Sequence, residues 1–439
     1  MTSDDPTTPA SHRPTAEQLA WQRAGFGMFC HFGVNTFHDK EWSDGTLPAA
    51  GFAPSDLDAR QWAATAVDAG MKYVVLTAKH HDGFCLWPTD TTDYSVRSSL
   101  WRSGRGDVVE ELALACQDAG LGLGLYLSPW DRNARCYDDP AAYDDFYVRQ
   151  LTELCTRYGP LFEVWFDGAG SEGRVYDWNR IMGVVQEHQP GAMVFNMGRP
   201  TIRWVGNEDG LAADPCTYVV DATRGDTDGG DRTWLAGGRY LPPECDVAIR
   251  RHWFWQSDDL DTLKSLEHLL AIYYRSVGLG AGLLLNVPPD RRGLLDDHDR
   301  VRLEGLGREL RRRFGSGHAG SCTAESGGEA VRVRFDGPTT FDHLMLSEDL
   351  TDGQHVSGHE VVVDGVVVAS GGTVGVRRIH AFAPVSAERI EIRLRGAGAR
   401  LACVTAHHTG RSEAPSLEEQ PAFRADKVDS VDSVDEPAH

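Results

Sequence analysis

Apolar residues along the chain fall into short runs separated by longer amphipathic stretches. Gly27–Phe32, Lys72–Thr77, Leu121–Leu127, Phe162–Phe166, Ala192–Phe195 and Gly282–Val287 are short runs rich in branched and aromatic side chains. Between them, Ala59–Ala69, Val108–Ala119, Asp144–Tyr158, Val175–Glu187 and Leu260–Val277 repeat their apolar positions at helical spacing. Strands alternating with helices at this spacing predict parallel pairing through right-handed crossovers. Roughly seven or eight such units over about 300 residues favour an α/β fold of the closed (β/α)8 TIM-like barrel type. A doubly wound open sheet is disfavoured, because no glycine-rich phosphate turn follows the first run.

The texture changes near Phe314. From His318 to His407 the helical period disappears. Val331-Arg332-Val333-Arg334-Phe335, His359–Val368 and Arg389–Leu394 alternate or run apolar, with Asp-Gly and Gly-Gly turns between them. This pattern predicts a C-terminal antiparallel β-sandwich. The expected organisation is a disordered N-terminus over 1–14, a catalytic barrel over 15–313, the sandwich over 314–409 and a disordered acidic tail over 410–439. The tail contains the near-repeat Val428-Asp429-Ser430-Val431-Asp432-Ser433-Val434-Asp435, which offers too little apolar area to order itself.

Charge narrows the partners. The 439 residues carry a formal net charge of −22, which repels phosphate backbones and anionic lipid, so neither nucleic acid nor membrane is an expected partner. No apolar run approaches the ~18–20 residues that cross a bilayer. The polar start has no apolar core segment, so a cytoplasmic location is expected. Nine cysteines, an odd number without a CxxC pair, read as reduced packing residues, neither a disulfide framework nor a zinc site.

In such a barrel, reactive groups sit at the C-terminal strand ends. Those ends carry His31, Lys79-His80-His81-Asp82, Tyr126 to Asp131, Trp165-Phe166-Asp167-Gly168, Trp204 to Glu208, and Arg250 to Trp255. Any one of these has an ordinary explanation as a cap or core residue. Several strand ends bearing such groups together do not. A metal centre is disfavoured, since His31-Phe32-Gly33 lacks the second histidine of a His-x-His pair, and adjacent His80 and His81 would face opposite sides of an extended backbone. Sugar chemistry fits better. It needs an ionised and a protonated carboxyl, which Asp167 and Glu208 can supply. It also uses aromatic faces (Trp42, Trp253, Trp255) and hydroxyl partners (His31, His80, His81).

The motifs Phe26-Gly27-Met28-Phe29-Cys30-His31-Phe32-Gly33, Glu41-Trp42-Ser43, Tyr73–Trp87, Leu125–Trp130, Trp165–Gly168, Arg203–Glu208, Pro243–Arg250 and Leu283–Arg292 resemble, in order, those of family 29 of the glycoside hydrolases, the α-L-fucosidases. The resemblance runs from about Trp21 to Leu310. It implies release of terminal α-L-fucose from a fucosylated oligosaccharide or glycoconjugate, with retention and with neither metal nor organic cofactor. It implies Asp167 as nucleophile and Glu208 as acid/base, with Glu244 as the alternative acid/base. It implies His31, Glu41, Trp42, His80, His81, Tyr126, Arg250 and Trp253 as the fucose pocket. The subgroup resembled prefers α-1,3/1,4-linked fucose. The chain departs from the family at Cys30 and Ala248, where an aliphatic residue and Ser are commoner. It departs again in the short loop Ser171–Arg174 and in Asp214–Arg239, which is hard to align. An inactive carbohydrate-binding barrel and a metal-dependent barrel hydrolase are the alternatives. Oligomeric state is not legible.

Overall fold

The computed structural model describes residues 8–171, 173–223, 233–324 and 330–418. Eight strands form one parallel sheet: β1 Phe26–Cys30, β2 Tyr73–Lys79, β3 Gly122–Leu127, β4 Glu163–Trp165, β5 Met193–Phe195, β6 Arg203–Trp204, β7 Pro243–Ala248 and β8 Gly282–Asn286. They run in the order β5-β4-β3-β2-β1-β8-β7-β6. A parallel bridge between Phe195 and Ile202 brings the two edges together, so the barrel is nearly closed.

Burial on both faces explains why these strands read as continuous apolar runs. Alternation sorts their side chains into two cores. Phe29, Tyr73, Val75, Trp165, Phe195 and Leu284 fill the barrel interior. Met28, Cys30, Val74, Leu76, Leu283 and Leu285 pack outward against the helices. Gly27 is required by this filling: a Cβ there would come within 2.5 Å of the Tyr73 ring.

Helix α1 (Ala16–Ala24) precedes β1 behind a Thr15/Gln18 capping box. Helices α2 (Ala59–Ala69), α3 (Val108–Ala119), α4 (Pro140–Arg157) and α5 (Trp178–His188) follow β1 to β4. Helix α6 (Leu266–Arg275) follows β7 and α7 (Asp297–Phe314) follows β8. Among the described residues no helix follows β5 or β6; a hairpin of Val219–Thr223 and Thr233–Tyr240 lies before β7 instead. Three predicted helices differ in extent. The one read from Asp144 starts at Pro140, because the Asp139 carboxylate caps it by accepting the Ala142 N–H. The one read from Val175 starts at Trp178, because the Asp177 carboxylate caps it by accepting the Arg180 N–H. The one read over Leu260–Val277 breaks, because Ser265 accepts the His268 N–H and starts α6 afresh.

The C-terminal strands are His318–Ala319, Ser321–Ala324, Ala330–Glu348, Gly358–Val363, Val366–Gly371, Arg378–Arg395 and Leu401–His407, paired antiparallel. Val331, Val333 and Phe335 are buried while Arg332 and Arg334 are exposed, the alternation read from the sequence. Register shifts at Arg334/Thr339 and Phe341/His343 interrupt the long central pairing, and the sheet encloses its own core around Phe341, Leu344, Ile392 and Val404. Tyr218 fastens sheet to barrel: its hydroxyl donates to the Gly280 carbonyl at 2.8 Å and accepts the Val376 N–H at 3.0 Å.

Residues Ala10–His12 form a 3-10 turn, with His12 Nε2 at 2.8 Å from the Gly237 carbonyl. At the other end the Glu418 N–H donates to His268 Nδ1 on α6 at 2.9 Å. Residues 1–7 and 419–439, most of the two termini read as disordered, lie outside the described residues. No helix among those described is long and apolar enough to cross a membrane. All nine cysteines are free; six are buried, whereas Cys322 and Cys403 are exposed on the C-terminal sheet.

Candidate active site

The C-terminal mouth of the barrel opens on a cavity of about 240 Å³. Phe29 and Trp165, from the barrel interior, form its floor. Of the residues singled out from the sequence, His31, Glu41, Trp42, His80, His81, Asp167, Glu208 and Trp253 all line it. The two carboxyls expected to do chemistry therefore face one space, although they arise from the ends of β4 and β6.

Asp167 follows β4, and its side chain is 18% exposed. The Tyr126 hydroxyl donates to its Oδ2 at 2.9 Å, and the Ala169 N–H donates to its Oδ1 at 2.9 Å. His81 Nε2 stands 3.7 Å from the same Oδ2. Glu208 sits at the mouth. The protein crowding its carboxyl, and secondly the charge of Asp167, raise its pKa above the ordinary carboxyl value, while a hydrogen bond with Trp253 opposes them.

The histidines are neutral. Burial lowers His31 to about 3, lowers His80 well below the usual imidazole value, and lowers His81 despite the attraction of Asp167. Their tautomers follow from the neighbours. Asn286 Nδ2 donates to the Trp253 carbonyl, so its Oδ1 faces His31 and accepts from both the backbone N–H and Nδ1. Ser128 donates its hydroxyl hydrogen to the Trp130 carbonyl at 2.6 Å, so it accepts from His81 Nδ1 at 2.7 Å. In both rings Nε2 is thus left as an acceptor. His80 and His81 do not diverge as expected. Strand β2 ends at Lys79, both residues lie in the turn beyond it, and their rings pack 4.1 Å apart on the same cavity. Among the described residues no group of three or more His, Cys, Asp or Glu side chains is arranged to hold a metal ion.

Glu41 shapes the wall. Its carboxylate accepts the N–H groups of Trp253 at 2.8 Å and Phe254 at 3.3 Å, which joins the loop after β1 to the loop after β7. Burial pushes its pKa up to about 7 against those two hydrogen bonds. Trp42 meets His81 edge-on, with ring centroids 5.3 Å apart.

Four expected residues are placed elsewhere. Tyr126 is fully buried behind the wall, holding Asp167 rather than lining the cavity. Arg250 is enclosed by carboxylates: Nη1 donates to Asp259 and Nε to Asp299, both at 3.0 Å, and Asp296 lies 3.3 Å from Nη2. Most of the guanidinium is committed to these carboxylates, and Arg250 does not line this cavity, although it lines the adjoining one. Glu244 points into the barrel beneath the floor, fully buried, accepting the Trp165 indole N–H at 3.0 Å and the Tyr73 hydroxyl at 2.8 Å. It also hydrogen-bonds Glu163, and burial plus the neighbouring charge raises Glu163 well above the carboxyl range, so Glu163 keeps the shared proton. The alternative acid/base read from the sequence is thus sealed from this cavity. Trp255 does not line the cavity; the Arg291 guanidinium lies 5.7 Å from its ring.

Three residues were given no role from sequence: Asn286, which fixes His31, and Trp204 and Asp246, which line the cavity. A signal for Asp246 existed. Strand alternation places it on the same face as Glu244, two residues earlier.

Known proteins share this architecture. The α-L-fucosidase family pattern matches residues 46–313. An Arabidopsis thaliana protein, Alpha-L-fucosidase 1, is 46% identical over 300 residues, 65% of this chain and 58% of its own length. The chain thus spans little more than half of that relative. A rice relative (Oryza sativa subsp. japonica) is 37% identical over 90% of this chain and 84% of its own. A Ruminococcus gnavus family 29 fucosidase solved in complex with fucose superposes with a TM-score of 0.80 at 26% identity, covering 95% of this chain and 98% of that one. By motif order, fold and these matches, the chain belongs to the α-L-fucosidase family of glycoside hydrolases.

Proposed function

We propose that this chain is a retaining exo-α-L-fucosidase acting on terminal α-1,3/1,4-linked L-fucose. The observation that carries the reading is that Asp167 and Glu208 line one cavity, where burial and the neighbouring Asp167 favour the proton on Glu208. Asp167 attacks the anomeric carbon as the bond to the leaving oxygen breaks, forming a fucosyl-enzyme. Glu208 gives that oxygen its proton, then takes a proton from water as the water displaces Asp167 and restores the free carboxylate. Retention by this route requires carboxyls about 5–5.5 Å apart when substrate is bound. Neutral His31 and His81 accept sugar hydroxyls through Nε2. The 3.7 Å gap between His81 Nε2 and Asp167 Oδ2, both acceptors, suits one hydroxyl donor.

A second cavity of about 430 Å³ adjoins the first and shares Glu208 and Trp253 with it. Arg250, Arg251 and Lys264 also line it, and on this reading it receives the saccharide beyond the departing oxygen. The linkage preference rests on the motif resemblance alone. The test is to compare an aryl α-L-fucoside, an α-1,2-fucosylated glycan and a Lewis-type trisaccharide. Cleavage of the trisaccharide and not the α-1,2 glycan is expected. The reverse preference overturns the linkage, and fucose binding without turnover of any of the three overturns the activity.

A further inference from the structure

Asp246 is a third carboxyl on the cavity wall, and neither step above uses it. It stands on the inward face of β7, one layer nearer the mouth than Glu244. The residue is 4% exposed. Its Oδ1 accepts the Trp204 indole N–H at 2.8 Å, and no other described side chain hydrogen-bonds to it. Its neighbours do not neutralise it: Glu208 lies beyond β6, Glu244 precedes it on β7, and its partner across β8 is the apolar Leu284. Burial first, and then the charge of Glu208, raise its pKa well above the carboxyl range, against the pull of the Trp204 N–H. A carboxyl kept neutral offers one acceptor, here given to Trp204, and one O–H donor.

Three other groups on the wall are acceptors. His31 Nε2, His81 Nε2 and Asp167 all present acceptors, while a sugar hydroxyl needs to accept as well as donate. We propose that Asp246 is a substrate-binding residue whose free carboxyl oxygen donates a hydrogen bond to one hydroxyl of the deoxyhexose seated between Asp167 and Glu208. This rests on the fucosidase reading and adds to it a specificity contact at β7.

The experiment measures KM, kcat and product inhibition by free L-fucose for Asp246→Asn and Asp246→Ala, on an aryl α-L-fucoside and on each of its monodeoxy analogues. Thermal melting identifies folded variants. Asn keeps both an acceptor and an N–H donor, so it is expected to stay within about threefold of the parent. Ala is expected to raise KM and the fucose inhibition constant about tenfold. One deoxy analogue, lacking the contacted hydroxyl, should be indifferent to Asp246→Ala. The inference is overturned if a folded Asp246→Ala binds fucose like the parent, if its penalty is equal on every analogue (the mark of a merely structural role), or if Asp246→Asn is as impaired as Ala. Should Ala not fold, Asn carries the test: it must bind fucose normally, and weakened binding overturns the inference. A parent protein that turns over no fucoside removes the fucosidase reading itself, an outcome distinct from all of these.

Discussion

The Tyr126 hydroxyl donates to Asp167 Oδ2 at 2.9 Å from a position with no exposed surface of its own. The proposed nucleophile is thus held by a residue that does not itself line the cavity. Tyr126→Phe removes a charge-assisted hydrogen bond of about 1.5–3 kcal/mol without altering the cavity shape. Steady-state kinetics on an aryl fucoside should show kcat reduced about tenfold or more with KM nearly unchanged. A rise in KM at constant kcat would instead place Tyr126 in the binding pocket.

Asp167→Asn deletes the nucleophile while preserving its size. Turnover is expected to fall by at least about 10³-fold. Azide should restore part of it on an activated aryl fucoside, with a fucosyl azide as product. An Asn variant with parental activity would remove the covalent mechanism.

Glu208 must hold a proton when the bond breaks. Because its pKa is raised, the protonated fraction persists above the ordinary carboxyl range and declines as pH rises further, so Glu208 sets the alkaline limb of kcat/KM. Glu208→Gln should erase that limb and should harm an unactivated oligosaccharide far more than an aryl fucoside with a good leaving group. Glu244→Gln should not reproduce this leaving-group dependence.

The Glu163–Glu244 pair makes a claim on stability. Burial raises both carboxyls, Glu244 to about 7, from 4.5 in the unfolded chain. A raised carboxyl favours folding below the unfolded value. As pH climbs from about 4.5 towards 7, the unfolded chain sheds protons that the fold retains, and stability falls. Glu163→Gln replaces the shared proton with an amide N–H. Melting curves between pH 5 and 8 should show a shallower loss of Tm than in the parent. An identical slope would mean that the pair does not share a proton.

Arg250 balances three buried or half-buried carboxylates. Arg250→Ala strands those charges and should destabilise the fold by about 3–5 kcal/mol in denaturant unfolding. KM for an aryl fucoside, measured well below the melting temperature, should change little. A large KM increase in a folded variant would return Arg250 to the substrate site.

Much of this protein was legible as pattern. Strand runs from Gly27 to Val287, helices at Ala59–Ala69 and Val108–Ala119, and the Val331-to-Phe335 alternation are consequences of which faces are buried, and periodicity records that directly. The three helices that differ in extent were decided by caps. Asp139, Asp177 and Ser265 are polar residues inside or beside an apolar period, and period alone does not register a side chain that competes for a backbone N–H.

The polar site divides the same way. Residue types at strand ends, read with the motif order, pointed to Asp167, Glu208, His31, His80 and His81 as neighbours, because a barrel converges its strand ends whatever their separation in sequence. Depth is what the linear order does not carry. Glu244 and Asp246 share a face of β7, yet one is sealed below Trp165 and the other borders the cavity. Arg250 and Trp253 stand three residues apart, yet one is caged by Asp259, Asp296 and Asp299 and the other lines the sugar site. The chemistry available was written in the residues themselves. Which carboxyl borders the cavity, and which meets only other side chains, was settled by three-dimensional packing, because burial and partner charge depend on layers drawn from distant parts of the chain.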